Sequence, residues 1–195
     1  MGNLLTRRRE LILASGGSSE WDYEWDYTKG LLDKEGNGFE KITSGGGASI
    51  IDTYLRFSGS SSSYTSYAMP TFYTTGVMEA EMLTGTNAQM RLYFGNGEYG
   101  IGIRLQTSSG YKGIYLGSTV TTKLVTAAAS TKYKVRLVLK GTTADVYVDD
   151  TLVLADEDVT TLTSCYRVYV AGLGTGGANQ QSRLYSLKMK FNRTS

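Results

Sequence analysis

Two kinds of side chain in this sequence could act on a ligand: a set of Arg, Tyr and Gln, and a scatter of carboxylates. If Met90, Leu92, Phe94, Ile101, Ile103, Leu105, Ile114, Leu116, Val168 and Val170 face an interior, their neighbours must face out. Those neighbours are Gln89, Arg91, Tyr93, Arg104, Tyr115, Arg167 and Tyr169. Tyr rings stack on sugar rings through C–H contacts, and Arg forks bind hydroxyls or carboxylates. Glycines at 100, 102 and 113 would leave such a face an open floor. The competing reading is an ordinary exposed β face, where Tyr and Arg are common.

The carboxylates do not form a catalytic constellation. Glu79 and Glu81 fall on one strand face, which reads as a solvated or hydrogen-bonded sheet surface. Asp149-Asp150 has the residue types of a tight turn. Asp156-Glu157-Asp158 reads as a loop cluster whose oxygens could hold Ca²⁺. It has no EF-hand-like ligand spacing, which favours a solvated turn, so no cofactor is expected. The chain has no His, which removes imidazole acid–base chemistry and His metal sites. Cys165 is alone and reads as a buried, inert thiol, with no intrachain disulfide and no Cys-based zinc site. The glycines from Gly172 to Gly177 precede no helix pattern and do not make a nucleotide site.

The elements that would position these residues are strands. The stretch Lys132 to Asp156 is the clearest. Tyr133, Val135, Leu137 and Leu139 alternate with Lys134, Arg136, Val138 and Lys140; Gly141-Thr142-Thr143 turns the chain. Val146 and Val148 continue the pattern, Asp149-Asp150 turns again, and a third strand starts at Thr151. Similar alternation marks Thr75 to Leu83, Ala88 to Phe94, Tyr99 to Gln106, Tyr111 to Leu116, Val120 to Val125, Tyr166 to Ala171 and Ser182 to Phe191. Gly95-Asn96-Gly97 reads as a hairpin turn and Gly172 to Gln181 as a long loop. Earlier, WDYEWDY puts its aromatics on one side and its acids on the other. A weak strand follows at Phe39 to Ile42, and Ile50 to Phe57 reads as one further strand. Tyr64 to Ala68 leads to Pro70, which suits a strand end.

With 24 Gly, 15 Tyr and one Pro in 195 residues, these segments predict an all-β chain of about a dozen strands, a two-sheet antiparallel β-sandwich. Residues 1–18 form an N-terminal arm or short helix ending at the flexible Ser15-Gly16-Gly17-Ser18-Ser19, and 19–195 form the domain. A net charge of +2 is too small to argue for nucleic acid, and no apolar run approaches a membrane span. LLTRRRELIL has its charges in the middle, the wrong order for a secretory signal.

The order TTGVMEAEML, a hairpin pair, KYKVRLVLKGTTADVYVDDTLVL and a closing RLYSLKMKF resembles the concanavalin A-like lectin/glucanase (laminin G-like) superfamily over residues 20 to 192 or so. The resemblance implies a jelly roll in which the strands carrying Gln89 to Tyr115 and Arg167 to Tyr169 line a concave face. The family-16 glucanases of this superfamily carry an E-x-D-x-E strand, because retaining cleavage needs two carboxyls about 5 Å apart. The corresponding stretch here, EYGIGIRLQ, offers Glu98, Gly100, Gly102 and Arg104, which is not such a pair. NLLTRRRELIL is also similar to the starts of some phage and prophage structural proteins.

The resemblance implies a non-catalytic carbohydrate-binding domain, not an enzyme, in a phage tail or host-surface attachment protein. Its partner would be a glycan or cell-surface polysaccharide, without nucleic acid or membrane, and its location virion-associated or extracellular. The arm could join copies into a homo-oligomer. Two alternatives stay open: a structural or oligomerisation domain of a virion without a glycan site, and a family-16 type hydrolase, disfavoured by the missing acid pair.

Overall fold

The computed structural model describes residues 21–26, 30–33, 41–44, 48–51, 53–57, 63–68, 75–95, 100–108, 110, 112–116, 122–158, 167–173 and 181–191. The N-terminal arm, Pro70, Asn96-Gly97, Glu98, Cys165 and most of the 172–181 loop lie outside these described residues. In chain order the strands are β1 (Tyr23–Asp26), β2 (Gly30–Asp33), β3 (Lys41–Ser44), β4 (Ala48–Ile51), β5 (Tyr54–Phe57) and β6 (Ser63–Ala68). They continue with β7 (Thr75–Thr84), β8 (Gln89–Gly95), β9 (Gly100–Gln106), β10 (Gly113–Leu116) and β11 (Thr122–Val125). The last are β12 (Lys132–Lys140), β13 (Thr143–Val148), β14 (Thr151–Asp158), β15 (Arg167–Leu173) and β16 (Ser182–Phe191).

The alternation in β12 explains its place. Val135, Leu137 and Leu139 are buried while Lys134, Arg136 and Val138 stay half-exposed. Its neighbour β7 buries Met78, Ala80 and Met82, in register with Leu137, Val135 and Tyr133. On its other side β13 buries Ala144, Val146 and Val148. The β13–β14 turn is Asp149-Asp150, both at positive φ (48° and 62°), the geometry of a type I′ hairpin. Asp149 is tied back to β12 twice: its N–H donates to the Lys134 carbonyl (2.8 Å), and its Oδ1 accepts from the Lys134 N–H (2.9 Å). In β16 the buried residues are Leu184, Leu187 and Met189, a spacing that breaks period 2. A bulge between Leu184 and Ser186 restores the phase.

All of these strands pair antiparallel into two sheets. The nine-stranded sheet runs β14-β13-β12-β7-β16-β1-β2, with β5 also on β16 and β4 on β5. The seven-stranded sheet runs β11-β10-β9-β8-β15-β6-β3. One core lies between them: Leu55, Phe57, Met78, Met82, Leu137, Leu184 and Leu187 from the first sheet meet Met90, Leu92, Ile103, Leu105 and Ile114 from the second. Burial of these side chains supplies most of the driving force for closing the sandwich. At one end Ser182 of β16 donates its hydroxyl to the Gln89 carbonyl of β8 (2.6 Å), which fixes the start of β8 against the other sheet. Thr107 locks the β7–β8 connection beside it, donating to the Gly85 carbonyl and sharing its hydroxyl with the Ala88 carbonyl.

The strand expectations from the sequence need five corrections. Ile50 to Phe57 is not one strand but the hairpin β4–β5, with Ile51 opposite Tyr54. Two adjacent isoleucines followed by Asp-Thr break the alternation and make a turn. Strand β2 has no counterpart in the sequence reading, because Leu31 and Leu32 are adjacent and carry no period-2 signal. The weak strand at Phe39 to Ile42 is displaced to Lys41–Ser44. Asp156-Glu157-Asp158 is not a loop but the end of β14. Asp156, at φ 54°, sits in a bulge where its N–H donates to Asp145 Oδ1 (2.9 Å). Its carboxylate accepts from Lys140 Nζ (2.6 Å), so this oxygen is already committed to a cation from the protein itself. Gly172 likewise belongs to β15 rather than to a loop, and it is buried against Phe57 of β5.

Candidate functional site

The outward face of the seven-stranded sheet collects every residue that the alternation singled out. One row across the strands reads Lys123 (β11), Tyr115 (β10), Arg104 (β9), Arg91 (β8), Ala171 (β15) and Tyr64 (β6). The next row towards one end reads Gly113, Gln106, Gln89 and Leu173. Towards the other end lie Gly102, Tyr93, Tyr169 and Ser66, then Gly100, Gly95, Arg167 and Ala68. Tyr93 and Tyr169 are direct cross-strand partners, and so are Arg91 and Arg104. The residues between them on each strand, Met90, Leu92, Ile103, Leu105 and Ile114, are fully buried in the core. This division of faces is what period-2 geometry requires.

The side chains of Gln89, Arg91 and Arg104 are described in detail. Gln89 and Arg91 are half-exposed, and an Arg91 Nη2–H donates to Gln89 Oε1 at 3.4 Å. Arg104 is only 7% exposed. It stands at the expected position on the face, but its guanidinium is part of the floor rather than a free group in an open groove. Gly102 beside it is buried as well. For Tyr93, Tyr115, Arg167 and Tyr169 the structure gives the register position on the face.

Two residues of the face were not singled out in the sequence. Gln106 is one alternation step beyond Arg104, and its amide nitrogen donates to Ser108 Oγ. Its side-chain carbonyl oxygen is buried and has no hydrogen-bond donor among the described residues, so it belongs to the floor of the face. Lys123 is exposed at the end of the Arg91–Arg104 row. Its aliphatic stem covers Gly113: a Cβ at that glycine would fall 2.8 Å from Lys123 Cγ and Cδ. The floor at 113 is therefore filled by Lys123, not open. Gln106 was legible as the next step of the pattern; Lys123 was not, because its place depends on the β10–β11 register.

The charge on this sheet is one-sided. Its strands carry Lys41, Arg91, Arg104, Lys123 and Arg167, and no Asp or Glu. The nine-stranded sheet mixes acids and bases in near-equal number and pairs them. Lys134 Nζ reaches Glu79 (3.4 Å) and Asp150 (3.2 Å), Lys132 reaches Glu81 (3.3 Å), and Lys188 reaches Glu24 (3.4 Å). The Asp150 hydrogen bond, with Glu79 behind it, raises the Lys134 pKa. Lys140 sits between Asp145 (2.7 Å) and Asp156; it is raised first by Asp145, and it holds the Asp145 carboxyl below the usual carboxylate range. The strands of the seven-stranded sheet thus carry no carboxylate, while Glu24, Glu79, Glu81, Asp145 and Asp156 of the other sheet are engaged in ion pairs. Among the described residues no cluster of His, Cys, Asp or Glu could hold a metal ion, and no helix is long and apolar enough to cross a membrane.

No protein-family model and no curated protein sequence matches the chain. Solved structures do match in shape. A Trypanosoma rangeli sialidase mutant displaying trans-sialidase activity aligns with TM-score 0.67 at 13% identity, over 95% of this chain and 33% of that one. The carbohydrate recognition domain of Emp46p, in its metal-free form, aligns with TM-score 0.59 at 11% identity, over 90% of this chain and 100% of that domain. The carbohydrate binding module CBM66 from Bacillus subtilis aligns with TM-score 0.53 at 11% identity, over 77% and 94%. The fold is a lectin-like β-sandwich. The chain spans about a third of the length of the Trypanosoma rangeli enzyme and 15% of another sialidase, but nearly the whole of the two carbohydrate-binding domains. Identities this low speak to the fold, which hosts many unrelated functions.

Proposed function

We propose that the chain is a non-catalytic carbohydrate-binding domain whose site is the outward face of the seven-stranded sheet. The observation that carries this reading is the gathering of Gln89, Arg91, Tyr93, Arg104, Tyr115, Arg167 and Tyr169 on one face of one sheet. Tyr93 and Tyr169 are cross-strand partners in register, two residues of the type that stacks on sugar rings. Gln89 and Arg91, both half-exposed, give hydrogen-bonding partners for hydroxyls. The absence of carboxylates from these strands supports binding without hydrolysis, since glycosidic cleavage by the two-carboxylate route needs an acid and a nucleophile or base. The fold shared with CBM66 and with the Emp46p recognition domain supports it too.

A setting on a phage particle or host-surface structure rests on the NLLTRRRELIL segment, with the arm joining copies so that weak sites act together. A second reading, a structural domain whose face is covered, is favoured by the burial of Arg104 and Gly102.

A glycan array separates the two. The expected result is specific glycan binding that Arg91→Ala and Tyr93→Ala both abolish and Glu79→Ala, on the other sheet, leaves intact. Binding indifferent to Arg91 and Tyr93 would move the site elsewhere. A folded protein that binds no glycan supports the structural domain.

A further inference from the structure

We infer that the ligand of this face is an acidic polysaccharide, one whose sugars carry carboxylates. The inference rests on the carbohydrate reading above and adds the ligand's charge. Four cations fall at outward positions of this sheet: Lys123, Arg104 and Arg91 in one row, and Arg167 four residues along β15 from that row's Ala171. Neighbouring strands are about 5 Å apart, so the row carries its three charges within about 15 Å. Across β8 and β9 the residue opposite Arg91 is Arg104, a second cation and not an acid. On the other sheet cations and acids alternate across the strands: Arg136 faces Glu79, which in turn faces Lys188, which faces Glu24.

The contrast is not a matter of bulk charge, which is +2 for the whole chain. It is segregation: the acids are on one sheet and absent from the other. A face of one sign raises the local concentration of the opposite sign and orients it on approach. Lys123, exposed and laid over Gly113, brings an ammonium to the row's end. Three of the four cations are Arg, whose planar fork matches a carboxylate edge-on better than an ammonium does. The next row sets Tyr93 in register with Tyr169, a residue type suited to sugar rings and not needed for a bare polyanion.

The test measures the full chain by titration calorimetry against polygalacturonate, against the same polymer with its carboxyl groups reduced to alcohols, and against single-stranded DNA of similar charge. Polygalacturonate is expected to bind best, with binding about tenfold or more weaker once salt shortens the screening length from about 10 to about 3 Å. The reduced polymer should bind at least about tenfold more weakly, as loss of several charge contacts requires. Arg91→Gln and Lys123→Gln should each flatten the salt dependence, and Lys188→Gln should not.

Equal affinity for the native and reduced polymers would overturn the acidic class while leaving a carbohydrate face in place. DNA bound as tightly as polygalacturonate would overturn it in favour of an unselective polyanion surface. A neutral glycan bound on the array, with no binding of polygalacturonate, would also overturn it. No saccharide bound at all by the folded protein would remove the carbohydrate reading itself.

Discussion

The two outward faces of this sandwich are built by the same rule and end in opposite states. Both arise from strands that alternate apolar with polar residues, and both turn their polar set away from one core. On the nine-stranded sheet the polar set is self-sufficient: Lys132, Lys134 and Lys188 each reach a carboxylate within 3.4 Å, and Arg136 stacks on the Tyr147 ring at 4.1 Å. On the seven-stranded sheet the register sets Arg91 opposite Arg104 and Tyr93 opposite Tyr169, and the strands carry no Asp or Glu. A face whose charges are answered internally needs only water. The other has its charge complement missing from its own strands, which makes it the better candidate for a ligand.

The comparison depends on the two faces being fixed back to back, and Gly172 is the tightest point of that fixing. A Cβ built there would fall 2.3 Å from Phe57 Cγ, inside any tolerable contact. Gly172→Ala must push β15 away from β5 or move the Phe57 ring, which is fully buried with little room to give. The expected cost is about 1–3 kcal/mol, read as a lower urea midpoint at unchanged slope. Binding should weaken with it, because β15 carries Arg167 and Tyr169.

Charge reversal on each face in turn sharpens the contrast. Lys134→Glu sets a fourth carboxylate among Glu79, Glu81 and Asp150, replacing two ion pairs with repulsion. These pairs are partly exposed, so screening holds the loss to about 1 kcal/mol, and binding should be untouched. Arg91→Glu places an acid opposite Arg104. Stability should hold or rise by a few tenths of a kcal/mol, about the worth of an opposed pair, while binding is lost. Denaturation and titration on both variants give this double dissociation, and stability falling equally in both would erase the distinction between the faces.

How much of this was open to a reader of the sequence follows from which signals are local. Strands β7, β12, β13 and β16 and the Asp149-Asp150 turn are written in adjacent residues, and they fall where alternation put them. Strands β2 and β4 are four-residue pieces whose apolar residues are paired, Leu31-Leu32 and Ile50-Ile51, so period 2 had nothing to hold; β5 does alternate, with Leu55 and Phe57 buried, but is too short to be told from β4 across a brief turn. At the candidate site the outward set on β8 and β9 follows from one hairpin's alternation. That Tyr169 stands beside Tyr93 does not, because β8 and β15 are far apart in the chain and only the sheet order joins them. Nor could the sequence tell that Lys123 fills the floor at Gly113 or that Arg104 is covered, since both depend on neighbours across strands. The bulges in β14 and β16 belong with these: each shifts register by one residue, and each is visible only once a partner strand is in place.

The smallest effect tests the self-sufficiency of the nine-stranded face at its edge. Asp145 accepts from Lys140 Nζ and from the Asp156 N–H, and the Lys140 hydrogen bond is the larger cause of its lowered pKa. A carboxyl depressed on folding contributes stability that is full above its unfolded pKa and disappears as pH falls through the folded value. The window therefore lies below about pH 4, the unfolded carboxylate range. Asp145→Asn keeps an acceptor for the Asp156 N–H and gives up the charge. Compared with the parent, it should be slightly less stable at neutral pH, with the gap closing as the parent's own carboxylate protonates. Urea midpoints taken across the acid range would show the two curves converging. Parallel curves would mean that the Lys140 contact contributes nothing on this exposed edge, where ion pairs are often worth little. The ordered Asp156 bulge would then be held by its backbone hydrogen bond alone.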